Sequence, residues 1–439
     1  MQKLSELYNR DLSGEIAIVR VDLNINARSL AAHTDNLRIR SIIPTIAFLT
    51  KRHATVVLVS HRGRPVIEKG KKSVRQENVR EFTLKPFASI IGKLLKKRIT
   101  FIPFDTTGSA LISQKNIEAI RKAPKGSLFL LENMRFLAGE ENNDPAVVAP
   151  LAEVGTFYVN DAFAVSHRKN ASVVAITKLL PSCAGLLLEK EIFHLDKAMH
   201  AHDRPFVLIL GGAKMADKMG LIKQFARKAD YLLPGGGIAN TLLAADGLPI
   251  GNSVFDAHML PIAKTLLRSK KVLLPFDVVI DQRKIVDHGQ QTIEEWMEIV
   301  RDAKTIIWNG PLGVIEDKRF AKSSIAIAKA IAKSKAFAVV GGGETALAFA
   351  GIRLTKNTFL STGGGAMLPG MLDITESQLR VPARTGMPVR LSNMPGELAH
   401  PSFSTAIGML LYAHRTRVTR AAENNSLRAK LRAIFASSF

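Results

Sequence analysis

Cysteine and long apolar runs are what this chain most clearly lacks. A single cysteine, Cys183, among 439 residues excludes an internal disulfide and a cysteine-rich zinc site, and it fits a reducing compartment. No apolar run reaches membrane-spanning length, and the N-terminal stretch MQKLSELYNRDLSG has no signal-peptide character. We therefore expect a cytoplasmic protein.

Acidic and aromatic residues are also scarce. The chain has 38 Asp and Glu against 61 Lys and Arg, which leaves a formal net charge of +23, and only four Tyr and two Trp. Such a charge suggests phosphorylated metabolites, nucleic acid or an anionic membrane as partners. The basic residues are scattered rather than interleaved with aromatic residues. We therefore rank nucleic-acid binding last and favour small anionic substrates.

Two common nucleotide-binding patterns are missing. The Walker sequence is absent from PFVLILGGAKMADKMG (Pro205 to Gly220), and no G-x-G-x-x-G fingerprint follows its strand. The stretch instead predicts a buried parallel strand, Phe206 to Leu210, that ends in two glycines just before a helix. Lys214 and Lys218 would fall on one face of that helix and grip a phosphate, and a solvated helix face is the alternative.

The second half of the chain repeats one pattern five times, an apolar strand that runs into glycines. The five junctions read LILGGAK, YLLPGGG, IIWNGPLG, FAVVGGGET and FLSTGGGA. A lone glycine turn can simply allow tight packing of a strand against a helix. Five such turns at one sheet edge predict a floor of exposed backbone amides, which suits a nucleotide polyphosphate.

In the first half, four predicted strands run into polar residues. The strands are Ile16 to Val21, Val56 to Val59, Leu128 to Leu131 and Phe157 to Val159. The polar residues are Arg20, Asp22, Asn24, Ser60, His61, Arg64, Glu132, Asn133, Arg135, Asn160, Asp161, His167 and Arg168, and Arg38 in the DNLRIR segment joins them. Ligands in parallel sheets bind outside the carboxyl ends of the strands, so the arginines predict a cationic basin for a small, multiply anionic substrate. The alternative is that each arginine pairs with a nearby acid.

A chain of 439 residues is too long for one ordinary core, so we expect two domains. Apolar positions recur at helical spacing from Cys183 to Met199, which predicts one amphipathic helix between the two sets of strands. We interpret it as the domain connector, with a plain surface helix as the alternative. A nucleotide phosphate in one domain and a small anion in the other predict phosphoryl transfer across a cleft.

The chain resembles the phosphoglycerate kinase family from about residue 1 to about residue 366. The motifs that carry the resemblance, in the order of the family, are VRVDLNIN, DNLRIRSIIPTI, SHRGRP, LLENMRF, YVNDAFAVSHR, GGAKMADK, WNGPLGVIE, GGGET and STGGGA. The resemblance implies an α/β fold with two doubly wound, Rossmann-like parallel-sheet domains joined by a long helix and hinge. It implies the glycolytic transfer between 1,3-bisphosphoglycerate and Mg-ADP, which gives 3-phosphoglycerate and ATP, by a monomer.

The resemblance also implies domain limits and residue roles. Residues 1–182 would bind phosphoglycerate, 183–200 would connect, 201–366 would bind the nucleotide, and 367–439 would form an atypical C-terminal segment. The phosphoglycerate residues are Asp22, Asn24, Arg38, His61, Arg64, Arg135 and Arg168. The nucleotide residues are Lys214, Lys218, Asn309, Glu316, Gly341, Gly342, Gly343, Glu344 and Thr345, with Glu344 also at the Mg²⁺ of ATP or ADP. Those that act on the transferred group are Arg38, Lys214, Lys218, Gly342 and Gly365.

The chain departs from the family pattern at three places. Glu344 stands where the family usually has Asp, which moves the expected metal-binding carboxylate by one methylene. The stretch between VVIDQRKIVDHG and WNGPLG is shorter than expected, and a segment used beside the nucleotide is missing. After STGGGA, about the last seventy-five residues resemble the end of the actin-like ATPase of bacterial cell division, so Ser361 to Ala366 could be a splice point.

The C-terminal end carries the alternative function. Leu427, Leu431, Ile434 and Phe435 form one apolar stripe beside basic residues, which is typical of a helix that lies on a membrane. A helix that docks on its own protein is the other interpretation. The alternative to the enzyme is therefore a catalytically impaired, nucleotide-binding membrane or septum scaffold.

Overall fold

The structure is a computed structural model that describes residues 3–25, 36–66, 76–104, 112–166, 168–200 and 203–362. All of these residues belong to one compact unit, Met1–Val381. The predicted C-terminal segment 367–439, with its actin-like resemblance and basic helix, lies outside the described residues. His167, Gly365 and most of the STGGGA motif also lie outside them.

In the described ranges, the first sheet has six parallel strands in the order β3-β4-β2-β1-β5-β6. They are β1 (Ile16–Arg20), β2 (Thr55–Val59), β3 (Thr100–Ile102), β4 (Leu128–Leu131), β5 (Phe157–Asn160) and β6 (Ser182–Ala184). Every residue of β1, β2 and β4 is buried. Such strands are continuous apolar runs because helices cover both faces of the sheet.

The part of this domain that the structure describes has five helices between β1 and β5. They are α1 (Leu37–Lys51), α2 (Gln76–Phe82), α3 (Lys85–Leu95), α4 (Gln114–Arg121) and α5 (Pro145–Val154). Helices α1 and α3 contribute to one core with Ala17 and Val19, whereas α4 and α5 contribute to a second core with Ile16 and Ile18. Alternate residues of one strand therefore enter opposite cores, as the two-residue period of a strand requires.

Within the described residues, the second sheet has five parallel strands in the order β13-β12-β11-β7-β8. They are β7 (Phe206–Leu210), β8 (Tyr231–Pro234), β11 (Thr305–Asn309), β12 (Phe337–Gly341) and β13 (Thr358–Ser361), and an antiparallel hairpin of β9 (Val278–Asp281) and β10 (Lys284–His288) stands beside them. The helices are α7 (Met219–Phe225), α8 (Gly236–Ala245), α9 (Leu260–Leu267), α10 (Gln290–Asp302), α11 (Lys322–Lys333) and α12 (Gly343–Leu347). The predicted class, an α/β protein with two parallel-sheet domains, is confirmed.

Helix α6 (Leu186–Met199) contributes Leu187 to a core of the first domain and Leu188 and Leu195 to a core of the second. At its start, the backbone amides of Leu187 and Leu188 donate to Oδ1 of Asp161, at 2.9 and 3.2 Å. Further along, Oε1 of Glu191 accepts from the amide of Thr362 at 2.7 Å, just past β13. The prediction that this helix begins at Cys183 was wrong, because Ser182–Ala184 pairs with β5 as a short edge strand and Gly185 precedes the helix.

Candidate active site

His61 lies at the centre of a group of arginines at the carboxyl edge of the first sheet. Its side chain follows β2 and is buried. Burial, followed by the positive charges of Arg20, Arg135, Arg168 and Arg38, holds the pKa of His61 well below its ordinary value. These arginines come from β1, the loops after β4 and β5, and α1. The structure therefore brings together basic residues that lie far apart in the sequence.

Arg38 stands in the first turn of α1, where Asn36 caps the helix by accepting from the backbone amide of Arg38. Its Nη1 donates to the carbonyl of Asn24 at 2.6 Å and lies 3.3 Å from Oδ2 of Asp22. Asn24 Oδ1 in turn accepts from the amide of Gly63 at 2.9 Å. Asp22 and Asn24 therefore orient Arg38 and the loop after β2, while the Arg38 side chain stays 25% exposed.

Arg64, Arg135 and Arg168 line a cavity of about 570 Å³. Nε of Arg135 lies 3.1 Å from Oε1 of Glu141, an exposed carboxylate in the same lining. Burial lowers the pKa of the Arg135 guanidinium, and the Glu141 charge partly offsets that effect. In the part of the chain that the structure describes, Arg64 and Arg168 have no acidic partner at ion-pair distance. Pairing with a nearby acid therefore accounts for Arg135 and not for the other two.

Several polar residues at this edge turn inward instead of facing the cavity. Asn133 Oδ1 accepts from the amides of Arg62 and Arg135, both at 3.1 Å, and ties the loops after β2 and β4 together. Glu132 accepts from the amide of Leu84 at 2.8 Å. The Arg62 side chain is buried and donates to backbone carbonyls, among them that of Ile25 at 2.9 Å. Sequence reasoning could not separate these loop-holding residues from ligand-facing ones, because both follow buried strands.

The two lysines of the second sheet are not on one helix face, so that prediction was wrong. Lys214 is exposed in a loop after β7, and a short 3₁₀ turn, Ala216–Lys218, precedes α7. Nζ of Lys218 donates to Oδ1 of Asn309 at the end of β11. Burial lowers the pKa of Lys218, and the carboxylates of Asp217 and Glu344 act against that shift. Lys218 therefore contacts the end of β11 and is influenced by the charge of Glu344 in α12, while Lys214 is exposed.

The expected floor of free glycine amides is largely absent from the junctions that the structure describes. The amides of Gly211, Gly212 and Gly237 donate to Asn309 O, Pro311 O and Gly212 O, at 2.9, 3.1 and 2.8 Å. A Cβ on Gly211 would lie only 1.9 Å from Pro311 O, which shows why a larger residue does not fit. These glycines allow backbones to pack against one another, which was the alternative reading of a single glycine turn.

The GGGET loop is the exception. Gly342 has φ +107° and precedes α12, and Gly343 and Glu344 are exposed in the first helical turn, where backbone amides have no intrahelical acceptor. The hydroxyl of Thr345 is used internally, because it accepts from the amide of Gly310 at 2.9 Å and donates to Gly341 O at 3.0 Å. Thr345 therefore ties this loop to β11, and Gly342, Gly343 and Glu344 remain as the ligand-facing part.

Metal-ligating side chains are sparse in this region. Across the residues that the structure describes, no group of three or more His, Cys, Asp or Glu could hold a metal ion. Glu344 is a single exposed carboxylate, and Glu316, expected near a ribose, is exposed after β11. Mg²⁺ commonly needs only one or two protein carboxylates when phosphate oxygens and water complete its shell. The region therefore suits a metal that arrives with a nucleotide better than a resident ion.

The arginine group around His61 and the GGGET loop with Lys218, called here the two rims, face each other. A Cβ on Gly343 would lie 3.7 Å from Nη2 of Arg38. The guanidinium of Arg38, from the first domain, therefore lies next to the glycine loop of the second domain. The cationic group around His61 thus lies on one side of a cleft, and Lys218 with the start of α12 lies on the other.

Comparisons with known proteins agree with this arrangement. The sequence profile of the family described as phosphoglycerate kinase matches residues 7–372. A phosphoglycerate kinase of Herpetosiphon aurantiacus is 40% identical over 381 residues, with 81% of this chain and 93% of that protein covered. One from Chloroflexus aurantiacus is 39% identical over 387 residues, with 82% and 93% covered.

A solved structure is similar as well. The crystal structure of phosphoglycerate kinase from Pyrococcus horikoshii matches with a TM-score of 0.74 at 29% identity, and the match covers 87% of this chain and 98% of that one. On the profile, the relatives and the two facing rims, this chain belongs to the phosphoglycerate kinase family.

Proposed function

We propose that this chain catalyses the phosphoglycerate kinase reaction of glycolysis, the reversible phosphoryl transfer between 1,3-bisphosphoglycerate and ADP that gives 3-phosphoglycerate and ATP. Family membership supports the activity, a phosphotransfer with a carboxyl group as acceptor. The single observation that carries the proposed mechanism is the approach of Arg38 to Gly343 across the cleft. At this position, one guanidinium can reach the phosphoryl group whether it leaves 1,3-bisphosphoglycerate or ATP.

The proposed roles follow from charge and position. His61, Arg64, Arg135 and Arg168 hold the phosphoglycerate, and Asp22 and Asn24 act through Arg38. Lys214, Lys218 and the amides at Gly342 and Gly343 hold the nucleotide phosphates, with Asn309 as the acceptor that positions Lys218 and Glu316 near the ribose. Catalysis then consists of positioning and charge neutralisation, because the attacking carboxylate or phosphate oxygen is already ionised and needs no base.

A magnesium ion is proposed to accompany the nucleotide. Glu344 is exposed and can supply one carboxylate, which fits an ion held mainly by phosphate oxygens. When bound, such an ion neutralises phosphate charge. Within this chain, Lys218 and the start of α12 then keep the phosphate chain directed at Arg38.

Arg38→Ala tests the mechanism. Arginines that stabilise a transferring phosphoryl group contribute about 10³- to 10⁵-fold in turnover, so we expect a coupled assay of ATP formation to show a loss of at least roughly 10³-fold in kcat. Arg40→Ala, an exposed arginine on the same helix, is the matched control and should keep its activity. Circular dichroism and thermal unfolding should show both variants folded. Unchanged turnover in Arg38→Ala would remove this residue from the mechanism.

We propose a cytoplasmic monomer with domain limits near residues 182, 200 and 366, whose partners are small molecules rather than nucleic acid. In the described ranges, no helix combines the length and apolar character needed to cross a membrane. The family profile ends at residue 372, so the C-terminal segment is where any septum or membrane role would reside.

The scaffold alternative has its own test. It predicts that the full chain pellets with anionic liposomes and that deletion of residues 424–439 abolishes pelleting. Equal pelleting of the two chains, or none by either, rejects the membrane helix.

A further inference from the structure

A continuous chain of buried polar groups leads from the interior of the first domain to the ring of His61. Nη2 of Arg20 lies 2.9 Å from Nδ1 of His61, and Nε of Arg20 donates to Oγ of Ser172 at 3.0 Å. Ser172 Oγ donates to Oε1 of Glu140 at 2.6 Å, and the Ser172 amide donates to Oε2 at 3.0 Å. All four side chains are at most 2% exposed.

The chemistry of arginine determines how the imidazole is protonated. A guanidinium has only donors, so Nδ1 of His61 must be the acceptor of the 2.9 Å bond. The hydrogen of a neutral ring then resides on Nε2. That nitrogen is buried and has no partner among the described residues. A buried donor without an acceptor is costly, which points to an acceptor supplied by a ligand.

The other end of the chain fixes the direction of every bond. Glu140 is fully buried and uses one carboxylate oxygen for each of the two Ser172 donors, so its charge offsets the buried charge of Arg20. The Ser172 hydroxyl gives its hydrogen to Glu140 and therefore offers its lone pair to Arg20. Tyr158 further holds this turn by donating to the carbonyl of Ser172 at 2.9 Å.

We propose that Glu140, Ser172 and Arg20 are positioning residues that hold His61 as the Nε2–H tautomer, so that it presents a fixed hydrogen-bond donor to an oxygen of the phosphoglycerate. This inference rests on the proposed function, because it takes His61 as a substrate contact. It deepens that function by naming three residues that act without touching the substrate.

The surroundings keep that donor neutral. The charged groups that act on His61 are Arg20 on β1, Arg38 on α1, Arg135 after β4 and Arg168 after β5, and all of them oppose protonation of Nδ1. The tautomer should therefore persist from about pH 6 to pH 8, across the range where an ordinary histidine titrates.

Nuclear magnetic resonance of ¹⁵N-histidine-labelled full chain tests the proposal without substrate. Correlations from the ring protons to the two ring nitrogens distinguish a protonated nitrogen from a bare one, and a spectrum of His61→Asn assigns the His61 signals among the 11 histidines. We expect protonated Nε2 and bare Nδ1 at both pH 6 and pH 8. A charged ring or a protonated Nδ1 in the wild-type chain overturns the proposal.

Variants then test each positioning residue. In Arg20→Met and Ser172→Ala, His61 should no longer be held as the Nε2–H tautomer. The KM for 3-phosphoglycerate should rise roughly tenfold, which corresponds to the contribution of one hydrogen bond to a charged ligand, and kcat should change less. Arg20→Lys should keep the tautomer, because an ammonium also only donates. Ser334→Ala, a buried and hydrogen-bonded serine of the other domain, is the control and should change neither measurement.

The two levels of inference fail separately. If the variants lose the Nε2–H tautomer but keep the KM, the proposed link between the buried polar groups and substrate binding is wrong. If the wild-type chain has no turnover, the proposed function is wrong, but the measured protonation of the His61 ring still stands. If the variants do not fold, the wild-type spectra at two pH values decide alone.

Discussion

Of the described residues that line the cavity of the three arginines, Glu141 is the one with an acidic side chain. Its Oε1 lies 3.1 Å from Nε of Arg135, and its side chain is 64% exposed. A negative charge at this position opposes the entry of an anionic substrate and partly neutralises the charge of the Arg135 guanidinium. It therefore weakens binding of a ligand that the other side chains of the cavity attract.

We predict that Glu141→Gln lowers the KM for 3-phosphoglycerate roughly two- to fivefold, the size of an exposed charge effect, and that the gain shrinks at high salt. Steady-state assays at low and high ionic strength measure it. Glu153→Gln, which removes an exposed partner of Arg121 away from the site, is the matched control. A higher KM in Glu141→Gln would mean that the carboxylate helps to orient Arg135 for binding.

The roles of individual residues were the hardest feature to predict from the sequence. The basic residues around His61 could be found from sequence because parallel strands deliver their carboxyl ends to one edge. Ser172 and Glu140 could not, since Ser172 stands 152 positions from Arg20 and only the fold joins them. For the same reason, the sequence could not show that the hydroxyl of Thr345 and the amides of Gly211 and Gly237 are consumed internally.

At the scale of elements, α6 carries the connection between the two domains through a buried acid. Glu191 is fully buried, and its Oε1 accepts from the amide of Thr362 at 2.7 Å and from its hydroxyl at 2.8 Å. Burial raises the pKa of Glu191 to about 7, although the bonds from Thr362 act in the opposite direction. The helix therefore holds the end of β13 with a group that gains its charge near neutral pH.

The sign of the pH effect follows from that shift. The pKa of Glu191 in the folded protein lies above its ordinary value near 4, which applies to the unfolded protein. Between about pH 4 and pH 7, the folded protein therefore binds more protons at this group than the unfolded protein does. The free energy of unfolding consequently falls as pH rises through that window. We predict that Glu191→Gln removes this fall. From pH 5 to pH 8, the free energy of unfolding of the wild type should fall by roughly 2 kcal/mol more than that of the variant.

Urea unfolding at the two pH values, followed by circular dichroism, measures the difference. Glu118→Gln, an exposed glutamate of α4, should change stability equally at both. A Glu191→Gln variant that loses more stability at pH 8 than at pH 5 would show that the charged carboxylate is the stabilising form.

Elements were predicted well where burial alone decides them. The runs at Phe206 to Leu210 and Leu128 to Leu131 are strands with those limits, because a parallel strand covered on both faces must be apolar throughout. The three-residue strands β3 and β6 were missed. Such short segments are strands only through pairing with a neighbour, and their own sequence carries no periodic pattern.

For the whole molecule, catalysis should need only the compact unit. The described strands and site residues of both domains lie within residues 3–362, and the family profile ends at residue 372. We predict that a chain ending at Val381, the end of the compact unit, folds and forms ATP with the kcat of the full chain. The coupled assay and thermal unfolding of both chains measure this. Activity only in the shorter chain would show that residues 382–439 obstruct catalysis, and activity only in the full chain would show that they contribute to it.

The sequence by itself determined the class of the fold and the charge of the cleft. Buried strands and their glycine or arginine ends are local patterns, and the topology of parallel sheets brings those ends to one edge. Only the tertiary structure decided which of the gathered groups remain available to a ligand, because that depends on hydrogen-bond partners from distant segments. Among the described residues, Nε2 of His61 has no hydrogen-bond partner whereas the hydroxyl of Thr345 has two, and they differ for that reason alone.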